Sequence, residues 1–141
     1  MQRYSRVQAI PHLGAPDSRR ADQRLLWIFD GEVVVAAGCH RRGSATGVRN
    51  FVFAAVELGH QGGRLSDGQR ASDVLWQVIV TDMLARPGDP PSTIIARVHP
   101  DNARSLRYCQ RSGLLAGERD SHGLVICSGP LTAGTAGPAG G

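Results

Sequence analysis

The chain contains no lysine: all sixteen of its basic residues are arginine. It is also poor in aromatics, which make up 5% of its 141 residues, and it has only three cysteines. Each scarcity excludes a class of protein. With no aromatics interleaved among clustered arginines there is no platform for stacked bases, so the formal net charge of +4 does not by itself point to nucleic acid. That charge suits equally a protein that holds an anionic small molecule. Cys39, Cys109 and Cys127 are odd in number and lack metal-ligand spacing, which argues for reduced cytoplasmic thiols and against a zinc site or disulfide framework. No apolar run approaches a membrane span, and no charged-then-apolar leader is visible. The expectation is a cytoplasmic protein with no metal and no membrane partner.

What is present reads as alternating strands and helices. Residues 3–10 form a weak strand pattern. Residues 24–29 and 32–37, apolar runs on either side of Asp30-Gly31, form a hairpin with a two-residue turn. A polar loop over 41–47 leads to a third strand, 51–58, apolar enough to be central. Ser66-Asp67-Gly68-Gln69 fits a capping box for a helix of about four or five turns, with Val74, Leu75, Val78, Ile79 and Met83 on its buried face. Pro87-Gly88 and Pro90-Pro91 stop it. A strand at 93–98, a helix at 102–112 and a closing hairpin (114–118 and 124–127) follow. Residues 129–141, rich in Gly, Ala, Pro and Thr, read as a floppy tail beyond one domain at 1–128. A long helix joining two strands suits a parallel pair within a mixed sheet.

The segment 95–114, IARVHPDNARSLRYCQRSGL, carries the most information. Pro100 fixes a turn, Asp101 or Asn102 can accept the first free helical amides, and Gly113 suits a left-handed C-terminal cap. This strand–turn–helix resembles that of the GNAT superfamily of N-acetyltransferases, in which a turn Asn opens a helix beside the thiol end of acetyl-CoA and the helix ends in Lys/Arg-x-Gly-Phe. The matching positions are Asn102, Arg111, Gly113 and Leu114. The resemblance covers 24–127 and marks a short, divergent member with an α/β fold: a mixed central sheet flanked by helices. Only about a dozen residues precede the hairpin where the family has two helices, too few for that pair. The N-terminal helix pair is thus expected to be reduced or absent. The acceptor side is then open, completed by a partner such as a second copy in a homodimer, or degraded.

The resemblance implies transfer of an acetyl group from acetyl-CoA to a primary amine, of a small molecule or a peptide, by direct attack in a ternary complex. It implies that the central strand at Val56 and Leu58 pairs with the pantetheine amides, and that Asn102 positions the cofactor. The family's pyrophosphate motif, Gln/Arg-x-x-Gly-x-Gly/Ala, has two registers here. One runs through Gln61, Gly62, Gly63, Arg64 and Ser66; the other through Gly68 and Arg70 into Ala71-Ser72. A loop feeding a helix N-terminus is a ready anion cradle, and either arginine could add a charge-assisted phosphate contact. The family's proton-donating Tyr lies seven residues after the Asn, a position held by Cys109, with Tyr108 one place earlier. Glu57, an acid in an apolar run, is the candidate base. His40, His60 and His99 are further proton shuttles at strand or loop ends. The rival readings are a catalytically silent binding or regulatory module on the same fold, and an arginine-driven binder of RNA or acidic protein.

Overall fold

The computed structural model describes residues 5–6, 22–56, 68–88 and 90–132. Among these, seven strands and two helices occur: β1 Ser5–Arg6, β2 Arg24–Asp30, β3 Val33–Arg42, β4 Val48–Val56, α1 Ala71–Leu84, β5 Thr93–Val98, α2 Ala103–Arg111, β6 Leu115–Arg119 and β7 Val125–Pro130. The strands form one mixed sheet in the order β1-β2-β3-β4-β5-β7-β6. Only β4 and β5 pair in parallel; every other neighbouring pair is antiparallel. The expected α/β architecture is therefore present. The stretch expected to lack the helix pair lies largely outside the described residues.

Several boundaries differ from the sequence reading. The hairpin loop is Gly31-Glu32, not Asp30-Gly31, because Asp30 pairs with Val33 after a register shift at Ile28/Phe29. Gly31 takes φ +67 at the first loop position, as a type II′ turn requires. β3 continues through Arg42, since Arg41 and Arg42 pair with Asn50 and Arg49, and β4 accordingly starts at Val48. α1 begins at Ala71, behind an extended Arg70 that makes no side-chain cap, so Gln69 precedes the helix instead of occupying its first turn. Gly68 at φ +90 breaks any earlier helical path. The last strand runs into the stretch read as tail: Thr93 pairs with Pro130, and buried Leu131 donates its amide to the Ser92 carbonyl at 2.8 Å. The β5 edge needs those partners, which a composition argument does not register. Residues 133–141 lie outside the described residues.

α1 packs across β2, β3 and β4, burying Val74, Leu75, Trp76, Ile79, Val80 and Met83 against Leu26, Ile28, Ala36 and Ile94. Gly38 permits this seat, because a Cβ there would run into Ile79 and lie 3.2 Å from Leu75. Beyond the apolar contacts, a polar junction fixes the helix. Fully buried His40 on β3 places Nε2 2.7 Å from Oδ2 of Asp82, in the last turn of α1. Arg24 on β2 grips the same carboxylate with bonds of 3.0 and 2.8 Å. Arg49 on β4 donates to His40 Nδ1, its Nη2 lying 2.7 Å away, and to Asp22 Oδ2 at 3.1 Å. Arg86 closes the chain with a bidentate pair to Asp22 at 2.8 and 2.9 Å. Since Arg49 can only donate, Nδ1 is the acceptor and His40 is the neutral Nε2–H tautomer.

Burial holds the His40 imidazole below its usual range, outweighing the opposing pull of Asp82. Burial alone would raise the Asp82 pKa, but the hydrogen bonds from His40 and Arg24 win and hold it well below the carboxylate range. Both shifts cost stability in acid. Unfolded histidine takes up a proton below about pH 6.5 while His40 resists, and below about pH 3.9 the unfolded carboxyl is protonated before Asp82 is. Urea titrations should therefore show stability falling as pH drops from 7 through 6 and again below 4. Asp82→Ala should destabilise by about 3–5 kcal/mol, because it leaves Arg24 and His40 without their partner; a loss under 1 kcal/mol would contradict this account.

Candidate functional site

The β4–β5 ladder holds only from Val48↔Thr93 to Phe51↔Ala96. Beyond it β4 continues to Val56 along β3, while β5 runs to Val98 beside β7, so the two strands part. The fork opens into a cleft of about 700 Å³ lined by both strands, the start of α1 and one face of α2. That is ordinary for a small-molecule site. Phe51 sits at the apex, its ring centroid 5.7 Å from that of Trp76 and 6.5 Å from that of Tyr108.

α2 is placed by local chemistry. Asn102 caps it by accepting the Ser105 amide at 3.1 Å, and Gly113 at φ +93 ends it. Leu106, Tyr108 and Cys109 turn toward the core. The Tyr108 hydroxyl donates to the Ser72 carbonyl at 2.8 Å, and Arg111 bonds Asp73 Oδ1 at 2.9 Å and Ser72 Oγ at 3.1 Å. The first turn of α1 is thereby tied to α2.

Of the residues singled out in the sequence, Val56, Arg70, Asn102, Tyr108 and Cys109 come together around this cleft. Gly68 lies just ahead of α1, exposed, and does not line the cleft. Glu57, Leu58, Gln61, Gly62, Gly63, Arg64, Ser66 and His60 lie outside the described residues. Burial and the nearby Asp73 carboxylate raise the Tyr108 pKa far above its ordinary value. Burial, reinforced by neighbouring Cys127, pushes the Cys109 thiol up to about 12, so it is neutral at pH 7. His40 belongs to the buried junction instead of the cleft. His99 does line the cleft, at the end of β5, with Nδ1 accepting the Asp101 amide at 3.1 Å. Arg97, Arg104 and Arg107 also line it, and sequence reasoning passed over them. The spacing of Arg104, Arg107 and Arg111, three and four apart, was the available signal.

A mixed sheet that opens between parallel neighbours, with one helix start facing the fork and a second helix beside it, defines the fold of the GNAT acetyltransferases. The structural likeness extends to individual members. A putative GNAT-family acetyltransferase from Desulfovibrio desulfuricans superposes with a TM-score of 0.65 at 15% identity, over 91% of this chain and 98% of that one. The GNAT domain of S. lividans PAT gives 0.63 at 20% identity, over 84% and 70% of the two chains. The paia N-acetyltransferase of Thermoplasma acidophilum, solved in complex with coenzyme A, gives 0.54 at 7% identity, over 77% and 60%. No family model and no curated protein matches the sequence.

The Tyr108 hydroxyl thus joins two helices. Tyr108→Phe should lower unfolding free energy by about 0.5–1.5 kcal/mol, the net worth of one such hydrogen bond, in a urea titration. It should leave the pH dependence of any acetyl transfer unchanged, since the phenol stays protonated throughout the working range; a displaced basic limb would assign it a proton-transfer role.

Proposed function

We propose that the protein is an N-acyltransferase that moves an acetyl group from acetyl-CoA to a primary amine by direct attack in a ternary complex. The observation that carries this is the cleft itself: an opened pair of parallel strands, a helix N-terminus at its side, and five arginines with no carboxylate among the lining residues. Such a lining fits a long polyanion with an extended amide-bearing arm. Acetyl-CoA supplies the acyl group already activated as a thioester.

In this reading Val56 and the neighbouring β4 edge run beside the pantetheine arm, in the manner of an added strand. The first amides of α1 and the Arg70 guanidinium take the pyrophosphate, which favours the later of the two motif registers. Asn102 holds the turn that bounds the thiol end. The amine must arrive neutral; as the carbon–nitrogen bond forms and the carbon–sulfur bond breaks, the amine loses a proton and the departing thiolate gains one. Tyr108 is engaged with Ser72 and Cys109 holds its proton tightly, so neither suits a rapid exchange. His99 is the imidazole among the lining residues, a side chain able both to accept and to donate a proton. Water can accept or supply either proton at this exposed mouth.

Calorimetry with acetyl-CoA should give saturable binding accompanied by a rise in melting temperature, and Arg70→Ala should weaken it by about tenfold, the worth of one charge-assisted contact. No heat and no thermal shift at millimolar acetyl-CoA would end this reading. Binding without turnover across a broad amine panel would identify a silent module on the same fold.

A further inference from the structure

The fork opens on both faces of the sheet. On one face stand α1 and α2, and with them Arg70, Arg104, Arg107 and Arg111 of the lining. The other face is furnished by the strands. Along β5, Ile94, Ala96 and Val98 are buried in the core beneath the helices, so Arg97 between them points the opposite way, 43% exposed. Topology sets its place. The ladder with β4 ends at Ala96, so Arg97 is the first residue of β5 past the parting, retained by β7 through its pairing with Ile126. It is also loosely engaged. Its Nε lies 3.4 Å from Oδ2 of Asp120, longer than a charge-assisted hydrogen bond, while Oδ1 of Asp120 accepts the amides of His122 and Leu124. A guanidinium carries several donors, so Arg97 retains capacity for a second oxyanion at this mouth.

An amine acceptor meets an electrostatic difficulty in this cleft. At neutral pH a primary amine arrives largely as the ammonium, and no carboxylate lines the cleft among the described residues. Fixed cations repel the ammonium and favour the neutral amine that must attack, so affinity has to come from another group on the acceptor. Val52, 44% exposed in the same lining, offers apolar surface but no charge. We propose that the acceptor is an amine that also carries a carboxylate, such as an amino acid, and that Arg97 binds that carboxylate. This rests on the acetyl-CoA reading and names the acceptor class for it. Polyamines, cationic throughout, are then poor substrates.

The test is acetyl transfer by the full chain, unaltered and as Arg97→Gln and Arg97→Lys. The acceptors are L-leucine and β-alanine, each beside its carboxamide, and spermidine. Rates are compared per neutral amine, which removes differences in amine basicity. The unaltered protein should favour each acid over its amide by about tenfold in kcat/KM, chiefly through KM, with spermidine no better than the amides. Arg97→Gln should erase most of that preference and Arg97→Lys keep part of it, with amide turnover and acetyl-CoA affinity unchanged within about twofold. An exposed ion pair such as Arg97 with Asp120 contributes little to stability, so both variants should fold, which a melting curve checks. Equal use of acid and amide, a preference for spermidine, or an equal loss for acids and amides in Arg97→Gln would overturn the proposal while leaving the acetyl-CoA reading intact. Acetyl-CoA bound without turnover of any of these amines would overturn it as well. Absence of acetyl-CoA binding would overturn the two together.

Discussion

The carboxylate of Asp82 is the point on which the rest of the structure turns. An acid in the last turn of a helix opposes the helix dipole, and α1 has no basic residue there to compensate. The compensation comes from the sheet, through Arg24 of β2 and His40 of β3, with Arg49 of β4 holding His40 in the required tautomer. One buried carboxylate thus registers a helix against three strands. Apolar contacts alone would leave α1 freer to slide, since burial is non-directional, whereas this junction demands one angle and one depth. At its other end the same helix is tied to α2 by Tyr108 and Arg111. Held at both ends, α1 presents its first turn to the fork between β4 and β5.

The fork follows from a change of partner within single strands. β4 is shared by β3 and β5 up to Phe51; past that point β3 alone follows it, with an irregularity in the register between Cys39 and His40. β5 is meanwhile retained by β7 along its whole length. Phe51, Trp76 and Tyr108 pack together at the apex, with ring centroids 5.7 to 6.5 Å apart. Few aromatics are present in the chain, and three of them meet here. A cleft made in this way has rigid walls, because each parted strand keeps a full ladder on its outer side.

The legible parts of the fold were those governed by neighbours in sequence. Asn102 with Ser105, Gly113, the apolar face of α1 and the two hairpins all rest on contacts a few residues long, and the strand–helix order exposed the mixed sheet. The polar junction was invisible for the opposite reason: Asp82 meets residues 42 and 58 positions away, so nothing local marked Asp82, and His40 read as a strand-end proton shuttle. The start of α1 was misplaced by four residues because Ser66 and Gln69 satisfy a capping pattern that a left-handed Gly68 then breaks. At the site, one helical step decided the outcome. Tyr108, not Cys109, carries the hydroxyl, and a rotation of about 100° turns it from the cleft axis into the helix–helix contact.

The absence of lysine gains a structural meaning from this division of labour. Arg24 and Arg86 make two-pronged bonds to single carboxylates, Arg49 bridges an imidazole and an aspartate, and Arg111 spans Asp73, Ser72 and the Tyr108 ring, its Cζ 5.6 Å from the ring centroid. A lysine, with one compact ammonium, could serve none of these geometries in full. The arginines so engaged are matched by Asp22, Asp73 and Asp82, so much of their charge is cancelled inside the fold. Arg70 and Arg107 remain at the cleft without such a match among the described residues. Among the described residues, arginine charge without a carboxylate match therefore falls where the strands part, which is the feature the proposed acetyl-CoA reading draws on.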